Sequence, residues 1–196
     1  RKMTTTRLRK FFQRYMKKTD SASVITPPWL DPWELPLLGT RYFVVDLESD
    51  GLQRKNNRIL SVGAIAVVEQ TLRYSEAFYH VLHHTGDLQA DAMLIHGLSP
   101  TALQQGDSTE AVLGALCEQG QHSVWVGFHA GVDALLLQQA FKSVLQWSCE
   151  PVILNVAEYL PALFSDHAAT QQNIDDWVER FGLHVLPEGF ATGNLL

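Results

Sequence analysis

The feature that most constrains the fold is a series of three strand-like runs that precedes an alternation of helices and strands. Residues 42–45 form a short aromatic and β-branched run that ends in acidic residues, and residues 59–68 form a longer apolar run. Residues 72–82 alternate in polarity and can pair with residues 59–68 through the turn at residues 69–71. Antiparallel neighbours followed by helical crossovers are typical of mixed sheets. The sequence therefore predicts an α/β domain with a mixed sheet that is flanked by helices.

The second half of the chain supplies the alternation. Ser108 is placed to cap a helix that ends near residue 117, and residues 123–128 predict a buried strand. Residues 132–145 and 171–181 predict further helices, and residues 152–154 predict a last strand. Hydrophobic residues make up 46% of the sequence, which is enough for a sizeable core and excludes disorder of the whole chain.

The N-terminal part is organised differently. Residues 1–18 hold eight of the 15 Lys and Arg residues and no Asp or Glu, so a basic arm (residues 1–20) precedes an acidic body. Residues 7–18 predict an amphipathic helix that packs on the body, with nucleic acid, an anionic membrane surface or a protein partner as alternatives. Residues 21–38 contain four prolines and two tryptophans, and predict an extended linker that docks on the domain formed by residues 39–196.

The cysteine content and the hydropathy of the sequence indicate the cellular compartment of the protein. The two cysteines, Cys117 and Cys149, are too few for a disulfide framework and suit core packing in a reducing compartment. No apolar run is long enough to cross a bilayer, and the basic N-terminus lacks the apolar stretch of a secretory signal. We therefore expect a soluble cytoplasmic protein with no transmembrane segment.

Three carboxylates indicate a metal site. Asp46 and Glu48 lie two residues apart at the end of the first predicted strand, where strand geometry places them on one face. Asp133 falls in the first turn of a predicted helix and can face the same end of the sheet. Converging carboxylates repel one another unless a hard divalent cation lies between them. The pattern predicts a two-metal phosphoryl-transfer site, with hydrated strand-end acids and a helix-dipole partner as the simpler alternatives.

Three segments resemble a known family in their order and spacing. Residues 43–52 (FVVDLESDGL) and 58–64 (RILSVGA) are similar to the first motif of the DEDD 3′–5′ exonucleases and the strand that follows it. Residues 95–99 (IHGLS) resemble the family's small I-H-G-I-T element, and residues 126–133 (VGFHAGVD) resemble its second motif. The nearest type is the DEDDh-type epsilon proofreading subunit of DNA polymerase III. The resemblance implies a ribonuclease-H-like fold from about residue 41 onwards.

The resemblance also implies an activity and the residues that carry it. Such an enzyme hydrolyses phosphodiester bonds at the 3′ ends of single-stranded DNA or RNA, with two Mg²⁺ or Mn²⁺ ions as cofactors. Nucleic-acid 3′ ends would be its partner. The metal-binding and catalytic carboxylates are matched by Asp46, Glu48 and Asp133. The positions that contact the terminal nucleotide are matched by Leu47, Ser49, Leu52 and His96.

The chain departs from the family in its second and third motifs. Val132 replaces an aromatic residue of the second motif. The third motif, H-x-A-x-x-D-A, supplies the general-base histidine and a fourth carboxylate, and it has no match in residues 182–196. Residues 182–187 resemble the run before that motif and residues 190–196 the helix after it, so we expect the motif in a short segment missing between them. The alternative is a catalytically impaired interaction module that docks on a partner through the basic arm and the Trp-rich linker.

Overall fold

The computed structural model describes residues 27–51, 57–85, 97–164 and 173–183. The basic arm and the C-terminal residues 184–196 lie outside this part, as do two predicted substrate contacts, Leu52 and His96. The boundaries expected for the arm, the linker and the domain therefore stay predictions, and so does the location of the third motif.

A five-stranded mixed sheet forms the centre of the fold. Its strands are β1 (Tyr42–Ser49), β2 (Ile59–Val68), β3 (Thr71–Val81), β4 (Val124–Gly127) and β5 (Ile153–Asn155), in the spatial order β3-β2-β1-β4-β5. The strands β1, β2 and β3 are antiparallel neighbours, whereas β4 is parallel to β1 and β5 is parallel to β4. The predicted mixed sheet, with a hairpin on one side and crossovers on the other, is confirmed.

Helices connect the strands of the sheet. In the part of the chain that the structure describes they are a 3₁₀ turn (Pro32–Glu34), α1 (Pro100–Gln104), α2 (Thr109–Gln119), α3 (Gly131–Val144), α4 (Val156–Leu163) and α5 (Ile174–Arg180). The predicted cap is present, because the Ser108 side chain accepts a hydrogen bond from the backbone N–H of Ala111. The sequence pattern predicts α2, α3 and α5 but neither α1 nor α4. None of the described helices is long and apolar enough to span a bilayer.

The strand β1 shows how the sequence pattern builds the core. Phe43, Val45 and Leu47 alternate along it and are all buried, which is the two-residue period of a strand with one packed face. They join a cluster that includes buried side chains of α2 and α3, among them Val112, Leu116, Leu137 and Phe141. Asp46 and Glu48 alternate with these residues and take the other face of β1. Packing of the core therefore determines which way the two carboxylates point.

Trp29 packs into the core near the start of the described chain. Its ring lies edge-on to Trp125, with centroids 5.5 Å apart, and stacks on Trp147 at 5.6 Å. The backbone N–H of Leu30 donates a hydrogen bond to the carbonyl oxygen of Ser123 at 2.8 Å, which ties this segment to the sheet. Trp33, by contrast, is 71% exposed. Only one of the two tryptophans between residues 21 and 38 is therefore part of the core.

The two cysteines are free thiols, and Cys117 is buried in the core. Burial raises the pKa of Cys149 to about 12. Burial also raises the pKa of Cys117 above its ordinary value, and the neighbouring Cys149 adds to that shift. Both thiols therefore stay protonated at neutral pH, so they pack as small apolar groups and are poor nucleophiles.

Gly106 lies in the connection between α1 and α2, against the end of β3. A Cβ atom there would stand 2.5 Å from the carbonyl carbon of Leu82 and 2.7 Å from the backbone nitrogen of His83. These backbone atoms are held by the hydrogen bond from the His83 N–H to the Asp107 carbonyl, at 2.8 Å. Gly106→Ala is therefore expected to lower the free energy of unfolding by about 1–3 kcal/mol.

The matched control for this prediction is Gly131→Ala at the start of α3. A Cβ atom at Gly131 meets no atom within 4 Å. Because alanine favours helix more than glycine does, this variant should be as stable as the natural chain or slightly more so. Urea unfolding of both variants measures the two effects. Equal stability of the Gly106 and Gly131 variants would contradict the prediction.

Candidate active site

Asp46 and Glu48 lie where β1 extends beyond its parallel partner. The pairing of β1 with β4 reaches only Val44, whereas its pairing with β2 continues to Ser49. On β2, Gly63 lies opposite Asp46. Asp46 is exposed and Glu48 is half-buried. Both carboxylates therefore stand at the edge where the parallel strands end, which is where open α/β sheets commonly bind ligands.

Asp133 reaches this edge from the crossover that follows β4. The strand ends at Gly127, the chain turns through His129, whose φ is 56°, and α3 begins at Gly131. The turn packs closely on β1, since a Cβ atom at Gly127 would lie 3.3 Å from the carbonyl oxygen of Val45. Asp133 lies in the first turn of α3 and is only 7% exposed. The turn therefore brings a buried carboxylate to the end of β1.

The three carboxylates influence one another electrostatically. Burial raises the pKa of Asp133 from 3.8 to about 7, and the negative charges of Asp46 and Glu48 add to the shift. Burial is the larger cause, and the two charges act from the neighbouring end of β1. The structure therefore brings together the three carboxylates that the sequence predicts for the site. Near neutral pH, and without a balancing cation, this pKa leaves part of the Asp133 carboxyl population protonated.

Three carboxylates provide suitable donors for a hard divalent cation, because Mg²⁺ and Mn²⁺ prefer oxygen ligands. Within residues 27–51, 57–85, 97–164 and 173–183, however, no three His, Cys, Asp or Glu side chains stand close enough to hold a metal ion between them. The donor chemistry therefore fits a divalent cation, in an open arrangement and not a closed cage.

An ion pair joins the end of β1 to the residue before β2. Asp50 accepts hydrogen bonds from the backbone N–H and the Nε of Arg58, at 2.7 and 2.6 Å. The hydroxyl of Ser49 donates to the carbonyl oxygen of Gly51 at 3.0 Å, and the side-chain amide of Asn57 donates to the same oxygen. These contacts hold the residues that follow the two β1 carboxylates in place against the start of β2.

The predicted substrate contacts occupy different environments. Leu47 is 8% exposed and packs in the core, so a nucleotide could meet only its main chain. The hydroxyl of the half-buried Ser49 donates a hydrogen bond to the carbonyl oxygen of Gly51. Leu52 and His96 lie outside the described residues. Val132 is 48% exposed beside Asp133 and presents a smaller apolar surface than the aromatic residue of the family motif. All four substrate contacts stay predictions.

Sequence reasoning missed Asn155, the last residue of β5. Its Oδ1 accepts a hydrogen bond from the backbone N–H of Ala130 at 3.4 Å, and its Nδ2 donates to Oε1 of Glu158 at 2.8 Å. Because Ala130 directly precedes α3, Asn155 helps to position the helix that carries Asp133. The available signal was a polar residue at the C-terminal end of a strand parallel to β4.

Comparisons with known proteins identify the family. The family model described as RNase_T exonuclease matches residues 43–188, well over half of the chain. The chain belongs to this exonuclease family. The matched region includes Asp46, Glu48 and Asp133. A comparison of its sequence with curated proteins gave no match.

Solved structures of exonuclease I share the fold of this chain. The apo form matches with a TM-score of 0.62 and 12% identity, over 78% of this chain and 40% of that chain. The product-bound form matches with a TM-score of 0.62 and 13% identity, over 78% of this chain and 41% of that chain. The complex of E. coli exonuclease I with a dT13 oligonucleotide matches with a TM-score of 0.60 and 12% identity, over 74% of this chain and 36% of that chain. The likeness confirms the ribonuclease-H-like fold. This chain spans about two-fifths of the length of those chains.

Proposed function

We propose that this exonuclease removes nucleotides from the 3′ ends of single-stranded DNA or RNA in a reaction that needs two Mg²⁺ or Mn²⁺ ions, in the manner of DEDDh-type enzymes similar to the epsilon subunit. The observation that carries the proposal is the buried carboxyl of Asp133, whose pKa is raised by burial and further by the charges of Asp46 and Glu48 at the end of β1. A buried carboxyl next to two others is unfavourable when ionised, and a bound cation reverses that effect. Perturbed carboxylates of this kind cluster at functional sites.

Each carboxylate would take a different part in holding the cations. Asp46, the most exposed of the three, would bridge both ions, Glu48 would hold the ion beside the attacking water, and Asp133 would hold the ion beside the leaving 3′ oxygen. The bound ions would supply an acidified water and stabilise charge on the phosphoryl group. Asp133 must lose its proton before its carboxylate can bind a cation. Metal binding near neutral pH should therefore release protons.

The charge of the body favours a substrate that is held at its end. Outside the basic arm, seven Lys and Arg residues stand against 20 Asp and Glu residues, which leaves few contacts for a long duplex. A single strand that is gripped by its last nucleotide needs fewer contacts. Exonuclease I has been solved with a dT13 oligonucleotide, and we extend nucleic acid as a ligand to this chain. The basic arm would add phosphate contacts or a protein partner, and the free thiols suit a cytoplasmic location.

A second function is favoured by the open arrangement of the carboxylates in the described residues. An exonuclease fold without the third motif would bind nucleic acid or a protein and hydrolyse nothing. It would dock on its partner through the basic arm and the Trp-rich linker. This function predicts binding that is independent of the metal supplied.

The experiment that separates the two functions is hydrolysis of a labelled single strand by the full chain. A 5′-labelled oligonucleotide should shorten one nucleotide at a time in Mg²⁺ or Mn²⁺ and stay intact in EDTA. A 3′-labelled strand should release its label first, as a nucleoside monophosphate, and a circular strand should survive. Parallel DNA and RNA strands assign the substrate. An intact strand in every metal would favour the interaction module, and shortening from the 5′ end would overturn the proposed direction.

A further inference from the structure

The helices α4 and α5 expose an apolar surface. Glu158 is the only charged residue among the eight of α4, yet none of these described residues is buried. The rings of Phe164, Trp177 and Phe181 contact one another, with centroids 5.1 to 6.1 Å apart, and join the end of α4 to α5. An exposed apolar patch of this kind commonly marks an interaction site. Five large apolar side chains, which define the α4–α5 surface, are 37–73% exposed: Leu163, Phe164, Ile174, Phe181 and Leu183.

The helix α5 adds negative charge to this surface. It carries Asp175, Asp176 and Glu179 against Arg180 alone. Asp175 and Glu179 are exposed and lie four positions apart, so they stand on one side of the helix. A segment that fits the α4–α5 surface should therefore combine an apolar face with a bordering row of positive charge.

The basic arm combines these two features. In the helix predicted for residues 7–18, helical spacing forms one apolar stripe from Leu8, Phe11, Phe12, Tyr15 and Met16. The same spacing places three basic residues along one border of this stripe: Arg7, Arg14 and Lys18. The segments that adjoin the α4–α5 surface in the sequence, residues 165–172 and 184–196, contain no Lys or Arg. Charge complementarity therefore favours the arm over these two segments.

The arm is also tethered close enough to reach this surface. Trp33 lies against α4, since its ring centroid is 5.9 Å from that of Tyr159. Tyr159 precedes Leu163 by four residues, which is about 6 Å along the axis of α4. The described chain begins at residue 27, and residues 19–26 add a span of up to roughly 26–29 Å when they are extended. The segment that follows the arm therefore passes α4, and the arm can reach α5 of the same chain.

We propose that the basic arm docks on the α4–α5 surface of its own chain. Its apolar stripe would cover Ile174 and Phe181, and the basic residues along the border of the stripe would pair with Asp175 and Glu179. The surface contains none of the three carboxylates of the candidate active site, so this docking goes beyond the proposed function and does not depend on it.

The test is crosslinking of the full chain with a water-soluble carbodiimide at low salt, followed by peptide mapping. This reagent joins an ammonium to a carboxylate only where the two are in contact. We expect Lys17 or Lys18 to be joined to Asp175 or Glu179. A mixture of ¹⁴N-labelled and ¹⁵N-labelled chains distinguishes a crosslink within one chain from a crosslink between two copies.

Two substitutions remove apolar contacts and leave every crosslinking group in place. Ile174→Asn on α5 and Phe12→Asn in the arm should each lower the yield of this crosslink roughly three- to tenfold. Because Phe12 is not part of α5, its variant tests the contact without changing that helix. Leu72→Asn is the control for the first variant, since Leu72 is 45% exposed against 51% for Ile174 and lies on β3, at the sheet edge opposite to β5. Gln13→Asn, which is off the stripe, is the control for the second.

Three results would contradict the proposal. The first is a natural chain in which no lysine of the arm is joined to Asp175 or Glu179. The second is an equal yield for Ile174→Asn and Leu72→Asn together with an equal yield for Phe12→Asn and Gln13→Asn, since charge alone would then explain the crosslink. The third is a crosslink that joins the two isotopes, which would assign the surface to the arm of a second copy. The reaction needs neither metal nor nucleic acid, so its outcome is separate from that of the hydrolysis experiment.

Discussion

Asp46→Asn is expected to slow metal-dependent nucleotide release by roughly a thousandfold or more, because the substitution removes the carboxylate that would bridge both cations. The variant keeps the size of the side chain, and Asp46 is exposed, so the fold should be retained. Rates of mononucleotide release from a labelled strand over a range of Mg²⁺ concentrations measure the effect. Added Mg²⁺ should not restore the natural rate, since the bridging ligand is absent.

The matched control is Glu118→Gln, which also replaces a carboxylate by its amide. Glu118 is exposed near the end of α2. The neighbouring Gln119 carbonyl accepts a hydrogen bond from Arg41 at 3.3 Å, and Arg41 directly precedes β1, at the strand end opposite to Asp46. This variant should keep the rate within about twofold, because salt screens distant surface charges. An unchanged rate for Asp46→Asn would show that the site is wrongly assigned.

Local sequence patterns are sufficient to predict most of the sheet. The runs at residues 42–45, 59–68 and 72–82 predict β1, β2 and β3, because alternation and turn residues act over a few positions. The helix α4 is different, since it contains Pro161 and depends on its neighbours more than on helix propensity. The burial of Trp29 and the exposure of Trp33 also depend on where the sheet lies.

In the candidate site, too, some features can be predicted from local sequence patterns and others depend on tertiary packing. Asp46 and Glu48 can be paired from their two-residue spacing, and Asp133 can be located from the strand and turn before its helix. The raised pKa of Asp133 depends instead on burial by distant segments and on the charges of β1. The hydrogen bond between Ala130 and Asn155 joins residues 25 positions apart. Tertiary packing creates contacts of this kind, and no local pattern reports them.

The second large effect is the pH dependence of the free energy of unfolding when no divalent metal is present. The folded chain holds the Asp133 proton more tightly than the unfolded chain, because its pKa is raised from 3.8 to about 7. The stability that this carboxyl contributes is fully present below about pH 4 and is lost as the pH rises through 7. Asp133→Asn has no proton to lose. The difference in the free energy of unfolding between Asp133→Asn and the natural chain should therefore shift by roughly 2–4 kcal/mol in favour of the variant as the pH rises from 4 to 8.

Urea unfolding of the two proteins in EDTA, at several pH values from 4.5 to 8, measures this difference. The other carboxylates and the eight histidines titrate in both proteins, so their contributions largely cancel. Glu118→Gln shows how much the loss of an exposed charge alone changes the result. A difference between Asp133→Asn and the natural chain that stays constant with pH would contradict the raised pKa.

A divalent cation should reverse the order of stability. Mg²⁺ that binds the ionised carboxylates stabilises the folded natural chain in proportion to its occupancy, whereas Asp133→Asn lacks one ligand and gains less. Asp46→Asn separates the two causes of the shift, because burial is the larger cause and the charges of Asp46 and Glu48 are the smaller. In an Asp46→Asn background, the pH dependence due to Asp133 should therefore shrink but persist. If Mg²⁺ stabilised Asp133→Asn as strongly as the natural chain, Asp133 would not be a metal ligand, although burial would still explain its pKa.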